Sequence, residues 1–184
     1  MNLGFIGTGN IVSDVITGIF KSKFSFKKII ISPRNKKKAN YLKKKFKRIM
    51  IAKDNQAVID LSDWIFLGVL PRVGENILPK LKFKKNQTVV SFMSTTNYSK
   101  LKRLIGKKAN IVRAIPMPPI RLCKGPVAIF PPNKKIKSFF NNIGTTIEIK
   151  NEKLSKNFWA ISGTMASFYE LLNVLSNWLI KNKT

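Results

Sequence analysis

The sequence predicts an α/β fold, in which a doubly wound, mostly parallel β-sheet is followed by a long C-terminal helix. Up to about residue 150, short apolar runs typical of buried strands alternate with segments of helical periodicity. From Asn157 onward, apolar residues instead recur at alternating intervals of three and four, which is typical of a helix that packs against other helices. We therefore expect an α/β domain over residues 1–152 and a separate helical segment over residues 153–184.

Eight apolar runs are predicted to be strands, and helices are expected in the intervals between most of them. The strands are predicted at residues 3–6, 27–31, 48–52, 64–70, 88–92, 110–115, 126–130 and 145–149. Helices are predicted from residue 10, at 36–47, from 54 through 59, from 71 to about 82, from 98 to 105 and at 133–142. Asp54 is expected to cap the third of these helices. The prolines within residues 116–119 predict a rigid, non-helical loop. Because it follows a strand, this loop is expected to form one side of a ligand site.

The chain opens with a strand, a glycine turn and a helix. Gly7-Thr8-Gly9 follows the first apolar run and precedes apolar residues at helical spacing. In that context, glycines let a pyrophosphate approach the free N–H groups and the positive end of the helix dipole. Val12 stands where the third glycine of the dinucleotide-binding motif is usual. The alternative is a plain glycine turn between a buried strand and a helix.

The end of the second strand indicates which dinucleotide is bound. An acidic residue there would bind the 2′-hydroxyl of NAD, but the sequence has Ser32, Arg34 and Asn35, followed by lysines 36–38. Hydroxyl, guanidinium and amide donors suit a 2′-phosphate, because arginine matches phosphate oxygens with a planar fork. NADP(H) is therefore the expected cofactor. The alternative is a polar turn that caps the next helix.

Other strand ends should face the same ligand, because ligands of open α/β sheets lie beyond the carboxyl ends of the strands. Residues 69–71 and 93–96 each follow a predicted strand, and the proline-rich segment 116–119 follows another. We expect these segments to flank the cofactor.

Composition excludes several classes of function. The chain has no histidine, so the common nucleophile–histidine systems and histidine metal ligands are excluded; its 8 carboxylates are dispersed, and no metal site is expected. The single Cys123 is compatible with the cytosol, and no apolar run approaches the ~18–20 residues of a membrane span. A cytoplasmic protein without a membrane partner or a signal peptide is therefore expected.

The net charge of +27 has two interpretations. It could reflect a polyanion such as nucleic acid or an acidic membrane surface. The lysines, however, are scattered over the whole chain, and the aromatic residues lie in apolar stripes rather than among the basic runs. We favour a general compositional bias, so a nucleic-acid partner is not expected.

The C-terminal helix carries more apolar surface than one face can bury. Its seam is predicted to contain Phe158, Ile161, Met165, Phe168, Leu172, Leu175 and Leu179, and most of the remaining circumference is also apolar. We therefore expect further helices or a second chain to cover it. The alternative is a single docked terminal helix with some exposed aromatic residues.

Taken in order, four motifs resemble those of the pyrroline-5-carboxylate reductase family. They are Gly4-Phe-Ile-Gly-Thr-Gly-Asn10, Ser32-Pro-Arg-Asn35, Leu67-Gly-Val-Leu-Pro71 and Arg113-Ala-Ile-Pro-Met-Pro-Pro119, and the resemblance extends to about residue 168. It implies a Rossmann-type NADPH-binding domain and a C-terminal helical domain that forms a homodimer and completes the active site. It also implies hydride transfer to the cyclic imine of pyrroline-5-carboxylate, which yields proline.

The resemblance also implies roles for individual residues. Those expected to bind the cofactor are Gly7, Thr8, Gly9, Asn10 and Ile11 at the pyrophosphate, Ser32, Arg34 and Asn35 at the 2′-phosphate, Asn55 at the adenosine ribose, and Val69, Leu70, Pro71, Ser94 and Thr95 near the nicotinamide. Those expected on the substrate side are Pro116, Met117, Ser162, Gly163 and Thr164. No catalytic residue is identified.

The chain departs from the family's pattern on the substrate side. Leu70 replaces the usual lysine of Val-Lys-Pro, and Met117 replaces the usual asparagine after Arg-x-x-Pro. The leading hypothesis is an NADPH-dependent reductase that acts on a small imine or related carbonyl compound. A non-catalytic NADPH-binding sensor or interaction module is the alternative, and a nucleic-acid binder is the third.

Overall fold

The computed structural model describes residues 1–155, 157, 160 and 163–182. The chain divides into two compact units, Met1–Lys150 and Asn151–Thr184. The first unit contains the whole β-sheet, and the second is helical where it is described.

The first unit alternates strands and helices as expected. Its strands are β1 (Asn2–Ile6), β2 (Lys28–Ile31), β3 (Ile49–Ile51), β4 (Trp64–Leu67), β5 (Thr88–Ser91), β6 (Asn110–Pro116), β7 (Pro126–Phe130) and β8 (Thr145–Glu148). Its helices are α1 (Asn10–Lys21), α2 (Lys36–Lys45), α3 (Asn55–Asp60), α4 (Pro71–Ile77), α5 (Tyr98–Ile105) and α6 (Lys134–Asn141), with 3₁₀ turns at Leu78–Lys80 and Pro118–Leu122.

The eight strands form one sheet in the order β3-β2-β1-β4-β5-β6-β7-β8. Every neighbouring pair is parallel except β6 and β7, which are antiparallel. The chain crosses from β3 over β2 and β1 to β4, so the strand order reverses between β1 and β4. In open α/β sheets this reversal opens a crevice at the carboxyl ends of the strands. The predicted Rossmann-type, doubly wound and mostly parallel sheet is confirmed.

Helices cover both faces of the central strands, which explains their near-continuous apolar sequences. One face packs around Phe5, Phe66 and Phe139, where the rings of Phe5 and Phe66 stack with centroids 4.6 Å apart. The opposite face packs around Ile65 and Val89. Because these side chains are fully buried, the central strands are fixed firmly and their carboxyl ends form a rigid edge.

The helix ends follow the capping residues in the sequence. Asp54 Oδ1 accepts a hydrogen bond from the Ala57 N–H at 2.7 Å, which confirms the predicted cap of α3. Asn35, Asn97 and Asn133 cap α2, α5 and α6 in the same manner.

Three boundaries differ from the prediction by two residues or more. β4 ends at Leu67 rather than residue 70, so that residues 68–70 leave the sheet. α2 ends at Lys45 because Phe46 turns to an extended conformation and packs partly buried. The last difference is at α4, which ends at Ile77 and continues as a 3₁₀ turn that includes Pro79.

The prediction of a non-helical loop at the proline cluster was wrong. Pro116 is the last residue of β6, and Pro118–Leu122 forms a 3₁₀ helix. The prolines fit there because the first turn of a helix needs no N–H donor and the fixed φ of proline suits its geometry. The turn packs tightly on α1, since a Cβ at Gly18 would overlap the Ile120 carbonyl oxygen.

The second unit contains a 3₁₀ turn at Glu152–Leu154 and helix α7 (Met165–Lys181). The seam predicted for this tail includes residues 158 and 161, which lie outside the described residues. Large apolar side chains of α7 are exposed around much of its circumference: Phe168, Tyr169, Leu171, Leu172, Val174, Leu175, Trp178, Leu179 and Ile180. Among the described helices, none is long and apolar enough to cross a membrane.

Candidate functional site

The glycine turn after β1 is held by close contact with the end of β4. Gly7 has φ +99°, a conformation that favours glycine, and a Cβ there would lie only 2.7 Å from the Gly68 carbonyl carbon. The Gly68 N–H donates to the Ile6 carbonyl oxygen at 2.8 Å. Both the backbone conformation and the available space therefore require glycine at position 7.

The contact between Val12 and Gly68 explains the missing third glycine of the motif. Val12 is fully buried on α1, and a Cβ at Gly68 would overlap its Cγ2 methyl group. The third glycine of the usual motif allows close packing between helix and strand. In this chain the close packing of α1 on the sheet is made possible by Gly68, just after β4, rather than by a glycine on the helix.

No contact within the described part of the chain requires glycine at position 9. It is the N-cap of α1, and a Cβ there would have only the Gly68 carbonyl oxygen within 4 Å, at 3.9 Å. No side chain caps α1, so its first N–H groups face outward with the positive end of the helix dipole. Within residues 1–150, all of which are described, the other α-helix without a side-chain cap is α4.

Thr8 adds a buried donor to this turn. Its side chain is only 4% exposed, and its Oγ1 has no hydrogen-bond partner among the described residues. A buried hydroxyl without a partner is costly, so a ligand oxygen at this position would satisfy it.

The turn opens onto a cleft of about 530 Å³ between the ends of β1, β2 and β4. Its lining residues are Gly7, Thr8, Gly9, Arg34, Asn35, Lys36, Val69, Leu70 and Val73. Seven of these were expected from the sequence. Lys36 and Val73 were not predicted as site residues. Their positions in the sequence could have indicated them, because Lys36 follows Asn35 and Val73 lies one helical turn after Leu70.

The loop after β2 supplies both structural and ligand-facing groups. Ser32 is 1% exposed, and its Oγ accepts a hydrogen bond from the Gly7 N–H at 2.8 Å, so it holds the glycine turn in place. Asn35 Oδ1 accepts from the Lys38 N–H at 3.1 Å and caps α2, as the alternative interpretation of this segment predicts, yet Asn35 also lines the cleft. Arg34 is exposed and lines the cleft too.

Several expected residues are not part of the lining of this cleft. Asn10 begins α1 and accepts a hydrogen bond from the Lys38 Nζ, whereas Ile11 packs partly buried against the core. Asn55 begins α3, and Pro71 begins α4. Ser94 and Thr95 follow β5, with Thr95 the more exposed of the two.

The expected substrate-side residues are only partly described. Pro116 is buried at the end of β6, and Met117 is the partly exposed cap of the 3₁₀ turn that follows. Gly163 and Thr164 are exposed and immediately precede α7 in the second unit. Ser162 lies outside the described residues.

Arg113 is a buried charge, and the sequence predicts no role for it beyond its place in a motif. It is 5% exposed in the middle of β6, and its Nη2 donates to the Ser94 carbonyl oxygen at 2.7 Å. An arginine within the apolar run of residues 111–115 is the signal that marks it in the sequence.

Asp14 is an acidic residue on α1 near the positive charges of Arg121 and Lys38. Burial raises the pKa of the Asp14 carboxyl, while the charges of Arg121 and Lys38 oppose that rise. Arg121 Nε lies 3.8 Å from Asp14 Oδ1, and most of the Arg121 side chain is exposed. The ion pair therefore links α1 to the 3₁₀ turn without overcoming the cost of burial.

Comparison with known proteins identifies the family. Residues 2–95, just over half of the chain, match the family described as NADP oxidoreductase, coenzyme F420-dependent. The chain belongs to this family. The glycine turn, the loop after β2 and the segment after β4 all lie within the matched region.

The most similar relatives include pyrroline-5-carboxylate reductases of Aquifex aeolicus and Synechocystis, which are 26% and 24% identical over 91% and 94% of this chain. The matched regions cover 64% and 67% of those proteins, so the chain spans about two thirds of their length. The predicted resemblance to pyrroline-5-carboxylate reductases is confirmed.

Solved structures share the fold. The pyrroline-5-carboxylate reductase of Streptococcus pyogenes superposes with a TM-score of 0.83 at 24% identity, covering 100% of this chain and 71% of that one. The Plasmodium falciparum pyrroline carboxylate reductase, solved with NADP bound, gives a TM-score of 0.76 at 22% identity, with the same coverage of both chains.

The contact between Val12 and Gly68 can be tested with a double-mutant cycle. Gly68→Ala is expected to lower the free energy of unfolding by about 1–3 kcal/mol, because the added methyl overlaps Val12. Val12→Ala alone leaves a cavity and costs less than the truncation of a larger core residue. The double variant should be more stable than the sum of the two single effects predicts, as measured by urea unfolding. Strict additivity would contradict the packing described here.

The raised pKa of Asp14 predicts a pH-dependent stability. The folded state holds this proton more tightly than the unfolded chain, so stability falls as pH rises from the ordinary pKa of 3.8 through the raised one. Asp14→Asn should therefore raise the thermal unfolding midpoint at pH 7, and the gain should vanish near about pH 3, where both forms are neutral. The exposed Asp60→Asn serves as the control. A loss of stability in Asp14→Asn at pH 7 would show that the Arg121 and Lys38 charges outweigh burial.

Proposed function

We propose that this chain binds NADP(H) and forms the cofactor-binding part of a reductase of the pyrroline-5-carboxylate reductase type, which acts on a C=N bond. The observation that carries the proposal is the cleft itself. It joins the Gly7–Gly9 turn and the uncapped end of α1 to the cations Arg34 and Lys36. Polyphosphate recognition needs both features, a backbone donor cradle and fixed positive charge.

The residues present fit the pyrophosphate. The position of a Cβ at Gly9 is open, the Thr8 hydroxyl is buried and has no partner among the described residues, and α1 presents free N–H groups. Gly7, Thr8 and Gly9 would hold the two phosphates at these groups. Ser32 would keep the turn in shape through its hydrogen bond to the Gly7 N–H.

The loop after β2 fits a 2′-phosphate. Arg34 and Lys36 both line the cleft, and none of its nine lining residues is acidic. A carboxylate that would favour the free 2′-hydroxyl of NAD is therefore missing from this lining. Asn35 uses its Oδ1 to cap α2, and its side-chain amide retains two N–H groups that can donate to a ligand.

The apolar residues of the cleft can exclude water from a bound cofactor. Val69, Leu70 and Val73 form this wall, and Leu70 is 74% exposed at its rim. NADPH, when bound, supplies the hydride. Such chemistry depends on position more than on an acid–base side chain, which agrees with the absence of histidine from the sequence.

The proposed substrate is a small cyclic imine, and the proposed pathway is L-proline biosynthesis. Both proposals are supported by the names of the relatives. A second candidate is an NADPH-binding module without turnover. It is favoured by Pro116 and Met117, the expected substrate-side residues of the first unit, because neither has a side chain that donates a hydrogen bond.

We further propose that the chain forms a homodimer through α7. The exposed apolar side chains cover much of its circumference, which is more than a monomer normally leaves in water. A second copy would supply an equally apolar helix, as isologous interfaces do. A cytoplasmic location is proposed as well, since the single Cys123 can form no internal disulfide.

Arg34→Ala tests the 2′-phosphate assignment. The variant should weaken NADPH binding about 10–100-fold, because a charge-assisted hydrogen bond is lost, and should change NADH binding by less than about twofold. Isothermal titration calorimetry measures both affinities. Arg103→Ala, an exposed position on α5, is the matched control. Equal losses for the two cofactors would refute the assignment.

Turnover separates the two candidate functions. Oxidation of NADPH is followed at 340 nm with pyrroline-5-carboxylate as substrate. Steady turnover supports the reductase, whereas NADPH binding without turnover supports the binding module. Failure to bind NADPH would remove both candidates.

Light scattering tests the homodimer. We expect a mass of about twice the 20.9 kDa of one chain. Replacement of both Leu172 and Leu175 by Lys should yield monomers, since two charges cannot be buried in an apolar interface. Asn173→Lys with Asn177→Lys adds the same charge on the polar stripe of α7 and serves as the control. A wild-type chain that remains monomeric would contradict the proposal.

A further inference from the structure

Arg113 is the buried charged side chain of the first unit that the proposed cofactor site does not use. It lies in β6 between the buried Val112 and Ala114, and only 5% of it is exposed. A guanidinium at such a position is costly unless its donors are bound. Its placement is therefore expected to serve a purpose that an apolar residue could not.

The guanidinium binds the loop that follows the neighbouring strand. Its Nη2 donates to the Ser94 carbonyl oxygen at 2.7 Å. The register pairs Arg113 with Ser91, the last residue of β5, so the side chain reaches forward along the sheet to a residue beyond the strand end. Backbone beyond β5 thus depends on a side chain from β6.

The same loop is held at two further points. Met93 is 1% exposed and packs against α4, where a Cβ at Gly74 would lie 3.2 Å from its Cε. The Met93 N–H donates to Ser91 Oγ at 3.2 Å, and the Thr96 N–H donates to the Met93 carbonyl oxygen at 3.2 Å. With both sides fixed, Thr95 at its tip is exposed and Ser94 is partly exposed.

We propose that Arg113 is a positioning residue, which sets the Ser94–Thr95 segment against the nicotinamide half of the cofactor by holding the Ser94 carbonyl. The inference rests on the proposed NADP(H) site. In a doubly wound sheet, a dinucleotide extends across the carboxyl ends of the strands from the strand-order reversal. The 2′-phosphate side lies at β2, which leaves the ends of β4 and β5 for the other half.

Arginine suits this role better than lysine does. Its planar fork fixes the direction of each donor, and its charge is permanent. A lysine keeps the charge and can still donate a hydrogen bond, but its flexible side chain does not fix the direction of that bond. Substitution of Arg113 therefore offers a graded test: Arg113→Lys retains part of the contact, and Arg113→Met retains none.

The experiment compares two ligands by calorimetry. NADPH contains both halves of the cofactor, whereas 2′,5′-ADP contains the adenosine half alone. We expect the Kd for NADPH to rise about threefold in Arg113→Lys and about tenfold in Arg113→Met, with the Kd for 2′,5′-ADP unchanged. Arg103→Lys and Arg103→Met, at an exposed position on α5, are the matched controls. Thermal unfolding of each variant records any loss of stability separately.

The selectivity for NADPH over 2′,5′-ADP is the readout that a purely structural role would not change. Equal weakening of both ligands, or no weakening of either, would overturn the inference while the cofactor site stands. If the wild-type chain binds neither ligand, the proposed function fails first. Should Arg113→Met not fold, the rise in Kd for NADPH alone in Arg113→Lys still decides the question.

Discussion

The contact between the first glycine turn and the end of β4 is the constraint on which the candidate site depends. A Cβ at Gly7 would overlap the Gly68 carbonyl, and a Cβ at Gly68 would overlap Val12. This contact places the start of α1 directly beside the segment that follows β4. The cleft exists because the ends of β1 and β4 are neighbours in the sheet and because a glycine, which has no side chain, follows each of these strands.

The site separates into residues that shape it and residues that face a ligand. Ser32 and Arg113 are buried and bind backbone groups of the turn and of the loop after β5. Arg34 and Lys36 are exposed on the cleft. Such a division is typical of sites in which rigid backbone sets the geometry and a few charges set the selectivity.

Much of the fold could be predicted because the strands are short, apolar and clearly separated. The eight predicted runs all became strands, since both faces of the central sheet are covered and the central runs at residues 3–6 and 64–70 are almost entirely apolar. The boundary errors arose where local pattern and tertiary packing disagree. Residues 68–70 are apolar like a strand, yet β4 ends at Leu67 and Gly68 packs against Val12 on α1.

Individual residues of the cleft could be predicted only where a sequence motif binds ligands through a known physical interaction. Gly9 and Arg34 line the cleft as the sequence predicts, because glycine turns and arginine forks act through general chemistry. The role of Ser32 could not be predicted, because the sequence shows a hydroxyl without showing that its partner is the Gly7 N–H, 25 residues earlier. The helical form of residues 118–122 was equally hidden, since proline clusters suggest loops more often than 3₁₀ turns.

The hydrogen bond from the Gly7 N–H to Ser32 has a thermodynamic consequence for recognition. It ties the loop that carries Arg34 to the turn that would cradle the pyrophosphate. Ordering one of these segments therefore reduces the conformational entropy that remains to be lost in the other. The pyrophosphate and the 2′-phosphate of a bound cofactor would then contribute cooperatively to its affinity.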